Sequence, residues 1–429
     1  MKKLRFDQMD ETVFYEKLDN GLQVYLMPKA GFNKTYATFT TKYGSIDSQF
    51  VPLGKDESIT VPDGIAHFLE HKLFEKEDYD VFEKFAEKGA SSNAFTSFTR
   101  TCYLFSTTSQ VEDNLTILLD YVQAPYFTEA TVEKEKGIIE EEIKMYRDMA
   151  DARAYYGILE NLFVNNPFRI DIAGTVESIY KITAEDLHVC YDTFYHPSNM
   201  VLFVVGDIKP EELIVLIKEN QAAKGYEDAP EIKRIFPDEP THVAKPETTE
   251  YMQLSTPKVF VGAKGVVDPS LTNKEQMKIT AALAVLMEML FGDSSDYYEQ
   301  IINEGLANDS FVFESQHEVE ASYCFIGTDT SKPTEFAASV KERLLAVKDM
   351  ELSEEAFNRV KRNEIGKFLS RLNSIEYVAN AFTEYAFVGL TLFDGVEVLE
   401  DLQLTDVEMV AKTYFKPEAI SVFRILPEA

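Results

Sequence analysis

The chain has 429 residues, 45% of them hydrophobic, and a length that predicts two domains of about 200 residues rather than one core. A formal charge of -31 makes the average field strongly negative and argues against binding nucleic acid or anionic membrane by long-range attraction. Residues 1–7 lack the apolar core of a secretory signal, no stretch is long and apolar enough to span a bilayer, and three scattered cysteines (Cys102, Cys190, Cys324) suit a reducing cytoplasm.

Residues 13–28 place apolar positions on both sides of Asn20-Gly21, which predicts a hairpin of two strands. A third strand-like run covers 36–43. After a polar loop, Asp63 is the expected cap of a helix that begins near Gly64 and carries Ile65, Ala66, Phe68 and Leu69. A helix is expected at 79–87, a small-residue turn at 88–92, and two strand-like runs that end at 101–105. Helical patterns follow at about 110–122 and 129–147. Residues 183–194 read as a capped amphipathic helix stopped by Pro197, and 201–205 as a buried strand closed by Gly206-Asp207.

These elements define a first domain, 1–222. Residues 223–248 are rich in charge and proline and read as a connection. A second domain, 249–429, repeats the order: a strand around 259–262, a helix at 273–290, strand-like runs near 310–316 and 322–328, helices at 333–349 and 353–373, and a last strand at 420–424. The fold class expected is α+β, with two structurally similar domains, each an antiparallel-rich mixed sheet packed with helices. The repeat is one of element order, without clear residue identity.

His67-Phe68-Leu69-Glu70-His71 places two imidazoles at i and i+4, so on a helix they project from one face and fill two corners of a tetrahedral zinc site. Glu70 lies one turn from His67. A carboxylate there is placed to take a proton from water without itself occupying the metal, as a general base must. The competing reading is a core helix with two satisfied histidines; burying both beside Phe68 and Leu69 without a metal leaves nitrogens to satisfy, at about 1 to 3 kcal/mol each. A catalytic zinc needs a third protein ligand. The acidic helix at 133–143 offers it: Glu135 and Glu142 share a face with apolar neighbours Ile138, Ile139 and Ile143, one to bind metal and one to orient a histidine. Spacing alone does not choose among Glu135, Glu140, Glu141 and Glu142.

The inverted His-x-x-Glu-His and the later Glu-x6-Glu helix resemble the pitrilysin/insulinase (M16) family of metallopeptidases. The run from Lys88 to Thr96 looks like that family's Gly-x-x-x-Asn-Ala-x-Thr edge strand, and Tyr195-His196-Pro197-Ser198-Asn199-Met200 with Val204-Val205-Gly206-Asp207 looks like its helix-strand step. The resemblance implies Zn2+ as cofactor, Glu142 as third ligand, Glu135 as the carboxylate that orients a ligand histidine, and Glu70 as catalytic base. It also implies that Asn93, Ala94 and Phe95 accept an extended peptide as an added strand.

The second half departs from the family pattern. Asp296 and Ile302 stand where arginines are common, and Asn308 where a tyrosine contacts the substrate carbonyl. At half the length of the single-chain enzymes, the chain resembles one side of a clamshell. A heterodimer is therefore expected, in which a noncatalytic paralogue supplies the Arg and Tyr and encloses a peptide chamber; a homodimer is the runner-up. The reaction implied is that of a zinc metalloendopeptidase acting on peptides or small unfolded polypeptides. The alternatives are a non-catalytic scaffold or peptide-binding subunit of the same fold, and a metal-dependent hydrolase acting on something other than peptides.

Overall fold

The Asn20-Gly21 hairpin forms: Glu11–Lys17 and Gln23–Pro28 pair antiparallel, with Phe14 opposite Leu26 and Lys17 opposite Gln23. A strand not legible in the sequence, Lys2–Phe6, adds to its outer side. The computed structural model describes residues 1–227, 229–318 and 320–428; Asp228, in the charged connection, lies outside them. Two compact units are present. One comprises Met1–Ile143, Asp171–Ile235 and Arg371–Phe393; the other comprises Lys144–Ile170, Phe236–Ser370 and Asp394–Ala429.

The first unit holds a seven-stranded sheet in the order Lys2–Phe6, Glu11–Lys17, Gln23–Pro28, Met200–Gly206, Thr35–Thr41, Thr101–Thr107, Ala90–Thr96. All neighbours are antiparallel except Gln23–Pro28 with Met200–Gly206. Strands Thr35–Thr41 and Met200–Gly206 are buried throughout, as central strands covered on both faces must be. Helix Ile375–Ala386, more than 160 residues along the chain from its neighbour Met200–Gly206, covers one of those faces. There Phe382 packs on Tyr25 and Phe203.

The second unit holds a five-stranded sheet in the order Glu247–Met252, Ile420–Pro427, Lys258–Lys264, Ser322–Asp329, Val312–His317. Its single parallel pair, Glu247–Met252 with Ile420–Pro427, again involves the last strand of the unit. Its order therefore matches that of the last five strands of the first sheet, from Gln23–Pro28 to Ala90–Thr96, and the two edges, Ala90–Thr96 and Val312–His317, occupy equivalent places. Aligning the units this way exposes residue identities that the sequence alone does not. The helices Ala184–Phe194 and Leu404–Thr413 both begin with a capping box closed by an aspartate, Asp186 and Asp406. Thr193 and Thr413, Pro197 and Pro417, and Phe203 and Phe423 then recur at one constant spacing. These few positions aside, the repeat is one of element order.

Helix Ala150–Leu162 lies on strands Lys258–Lys264 and Ile420–Pro427 of the second unit, where Asn161 Nδ2 donates to the Val422 carbonyl. Among the described residues no helix is long and apolar enough to cross a membrane. Cys102, Cys190 and Cys324 are all buried and free.

Candidate metal centre

Helix Ile65–Phe74 presents its apolar residues to the first core: Ile65, Ala66, Phe68, Leu69 and Leu73 are buried. Phe68 and Leu69 are fully so, each stabilising the unit by about 1.5 to 3 kcal/mol. This fixes the rotation of the helix and sends His67 and His71 to the opposite flank. Asp63 does not cap it. Gly64 is the N-cap, in the left-handed region at φ 88, and offers no side chain to cap the first turn. A Cβ on Gly64 would meet the Ala173 carbonyl oxygen at 2.4 Å, so close approach to the Ala173-Gly174 turn sets the helix start instead.

The second contributor is helix Glu129–Asp148, whose buried face is Val132, Lys136, Ile139 and Ile143. Glu135 and Glu142 flank this stripe, one residue back from Lys136 and Ile143, and face the histidines. Glu142 Oε1 lies 3.7 Å from His67 Nε2, and Oε2 lies 3.4 Å from His71 Nε2. Glu135 Oε1 lies 3.1 Å from His71 Nδ1. Glu140 turns elsewhere and accepts from the Tyr180 hydroxyl at 2.6 Å. The fold thus separates Glu135 and Glu142, which face the histidines, from Glu140.

Ligand atoms of His67, His71 and Glu142 all lie within 4.8 Å of one another, the one such convergence of three His, Cys, Asp or Glu side chains among the described residues. A carboxylate accepts only, so the contact with Glu135 puts the proton of a neutral His71 on Nδ1 and leaves Nε2 as a lone pair aimed at Glu142. Acceptor then faces acceptor. His67 Nδ1 is buried with no hydrogen-bond partner. Burial, reinforced by His71, holds the His67 pKa down at about 3, so its imidazole is neutral at pH 7. For His71, burial opposes the charge but is outweighed by the Glu135 hydrogen bond and the charges of Glu70 and Glu142, and the pKa rises. Carboxylates that favour a proton there favour a metal cation equally. Two imidazoles and one carboxylate around such a point suit zinc's preference for nitrogen and oxygen donors.

Glu70 is 8% exposed, and burial raises its pKa against the opposing pull of a Thr96 hydrogen bond and His71. Thr96 Oγ1 donates to Glu70 Oε2 at 2.7 Å. Asn93, Ala94 and Phe95 lie on the outermost strand, paired on one side only, and Asn93 Oδ1 accepts from the Ala94 N–H at 2.9 Å. Reasoning from sequence missed Thr96 as a partner of Glu70. Its only signal was its place at the end of the edge-strand run.

Known proteins bear on this arrangement. Residues 58–176 match the family model described as insulinase (peptidase family M16), and 181–364 match the one described as the peptidase M16 inactive domain. With full-length similarity to a relative as well, the chain belongs to the insulinase family, M16. That relative is the uncharacterized zinc protease YmfH of Bacillus subtilis (strain 168), 50% identical over 429 residues and all of both chains. The zinc protease PqqE of Helicobacter pylori is 26% identical over 412 residues, 93% of this chain and 89% of its own. A crystal structure of an M16-like peptidase from Alicyclobacillus acidocaldarius superposes with a TM-score of 0.94 at 36% identity, covering 99% of this chain and 100% of that one.

Proposed function

We propose that the chain is the catalytic subunit of a zinc metalloendopeptidase, with His67, His71 and Glu142 as the metal ligands. The convergence of those three side chains beside Glu70 carries the reading. A bound zinc supplies Lewis acidity toward a water and a peptide carbonyl. Glu135 keeps the proton of His71 on Nδ1, which orients the imidazole for binding. Glu70 takes a proton from the attacking water, holds it, and returns it to the leaving amine nitrogen. Its burial raises the affinity for that proton, as a shuttling carboxylate requires. Asn93, Ala94 and Phe95 receive the substrate main chain as an added strand on the unpaired edge.

The first unit carries this site, and the second contributes to the substrate chamber and subunit contacts. Asn308, where relatives place a carbonyl-contacting tyrosine, is committed within the second unit: its amide donates to the Asp329 carbonyl and its oxygen accepts from the Ser310 N–H. Ile302 packs on the second core. A noncatalytic paralogue is therefore proposed to supply the Arg and Tyr. The three buried thiols fit a cytoplasmic setting.

The test is Glu70→Gln, read by metal analysis and by peptide hydrolysis with and without the paralogous chain. Zinc is expected to stay while turnover falls roughly 100- to 10,000-fold. An active variant removes Glu70 from its role, and a wild-type chain that refuses zinc removes the peptidase. Full activity from the isolated chain removes the partner requirement.

A further inference from the structure

Thr96 sits at the end of strand Ala90–Thr96, the same strand proposed to receive the substrate, and its hydroxyl reaches Glu70 across 26 residues of chain. We propose that Thr96 is the positioning residue of Glu70: its hydroxyl fixes the carboxylate by donating to Oε2, and so ties the base to the peptide-binding edge. The meaning of Glu70 as a base rests on the function proposed above; the positioning itself is a matter of geometry.

Three observations carry it. First, a threonine hydroxyl has one proton, and the alternatives for it are poor. The cross-strand neighbour Thr101 lies 3.5 Å away at Oγ1 and gives its own proton to the Tyr43 carbonyl at 2.9 Å. A carboxylate accepts only and lies at 2.7 Å, against 3.5 Å for the Thr101 oxygen, so the Thr96 proton goes to Glu70. Second, the mount is rigid. Residues 97–100 close a turn with Ser97 N–H on the Arg100 carbonyl at 2.8 Å, and Ser45 and Ile46 N–H groups bond to the Ser97 and Phe98 carbonyls at 3.1 Å each. Gly44 admits this docking: a Cβ there would stand 2.2 Å from the Phe98 oxygen. Third, a part-buried, charge-assisted hydrogen bond to a carboxylate is of the stronger kind, enough to select one rotamer of a glutamate with three rotatable bonds.

Because Asn93, Ala94, Phe95 and Thr96 share one short strand, a peptide that pairs with the edge presses on the same segment that holds the base. A substrate strand and a correctly aimed carboxylate thus stabilise one arrangement.

Thr96→Val keeps shape and strand preference while deleting the proton; Thr96→Ser restores the proton without the methyl. Zinc-loaded chains are compared by metal content, by crystal structure, and by hydrolysis with the paralogous partner present. The Val variant is expected to retain zinc with His67, His71 and Glu142 in place, while the Glu70 carboxylate leaves its position. Its kcat is expected to fall about 100-fold, the scale of a misplacement of about 1 Å, with KM changed by less than about twofold. The Ser variant is expected to recover most of the rate. An unmoved Glu70 in the Val variant, or a Ser variant as poor as Val, overturns the proposal. So does loss of zinc from the Val variant, which assigns the hydroxyl to holding the site together. If the wild type hydrolyses no peptide at all, the peptidase reading fails, yet the position of Glu70 in the two crystals still decides the role of Thr96.

Discussion

The two units end their equivalent edge strands in different chemistry. In the first, Thr96 faces Thr101 across the strand pair and donates to Glu70 on the preceding helix, Ile65–Phe74. In the second, the last residue of the edge strand is His317, which faces Ser322 and reaches Gln276 on helix Asn273–Phe291. There the circuit is closed. His317 Nε2 lies 2.6 Å from Gln276 Oε1 and Nδ1 lies 2.8 Å from Ser322 Oγ, which in turn meets the Tyr414 hydroxyl at 2.9 Å. Gln276 completes it by donating to the Asp268 carbonyl. Every polar group in that chain has a neutral partner, so nothing remains to bind an ion. In the first unit, the His71 Nε2 lone pair faces the Glu142 carboxylate, His67 Nε2 lies beside that same carboxylate, and His67 Nδ1 has no partner. A buried cluster that saturates itself stabilises a fold, whereas one left with converging acceptors recruits a cation.

The sharpest way to break this contrast is to remove the converging carboxylate. Glu142→Gln is expected to abolish zinc binding, measured by metal analysis, and to reduce hydrolysis on the order of 10,000-fold, since the ligands act as a unit. A variant that keeps stoichiometric zinc refutes Glu142 as a ligand. A smaller effect is expected from Glu135→Gln, which leaves the ligand set whole and weakens only the orientation of His71; zinc affinity should fall about 10- to 100-fold in competition with a chelator. Equal affinity would show that His71 is aimed by packing alone.

The mildest prediction concerns the closed circuit. Burial depresses the His317 pKa from 6.5 to about 4, so between those values the unfolded chain binds a proton that the folded chain refuses. Stability is therefore fully present above pH 6.5 and falls on acidification, by about 3 kcal/mol near pH 4. Urea unfolding of wild type and His317→Gln across this range isolates the contribution as the difference in pH slope. Identical slopes would mean that His317 is not buried neutral.

Much of the chemistry was local and hence readable. His67, Glu70 and His71 lie within one helical turn and a half, so periodicity alone put them on a common flank. The Asn20-Gly21 hairpin and the capped start of the helix at Thr183 were legible for the same reason: each is a contact between residues a few positions apart. Asp63 failed as a cap because the start of that helix is dictated by the distant Ala173-Gly174 turn. The helices Ala150–Leu162 and Ile375–Ala386 were missed, and nothing in their own periodicity says which sheet they cover.

The sequence by itself determined the fold class, the histidine pair with its glutamate, and the presence of an acidic helix able to complete a metal site. Only the tertiary structure decided which glutamates of that helix turn toward the histidines, that Glu140 turns instead to Tyr180, and that Thr96 reaches Glu70. The reason is range. Backbone periodicity fixes neighbours within a turn, but a contact between separate elements is set by how the core rotates each one, and that rotation is a property of the packed whole.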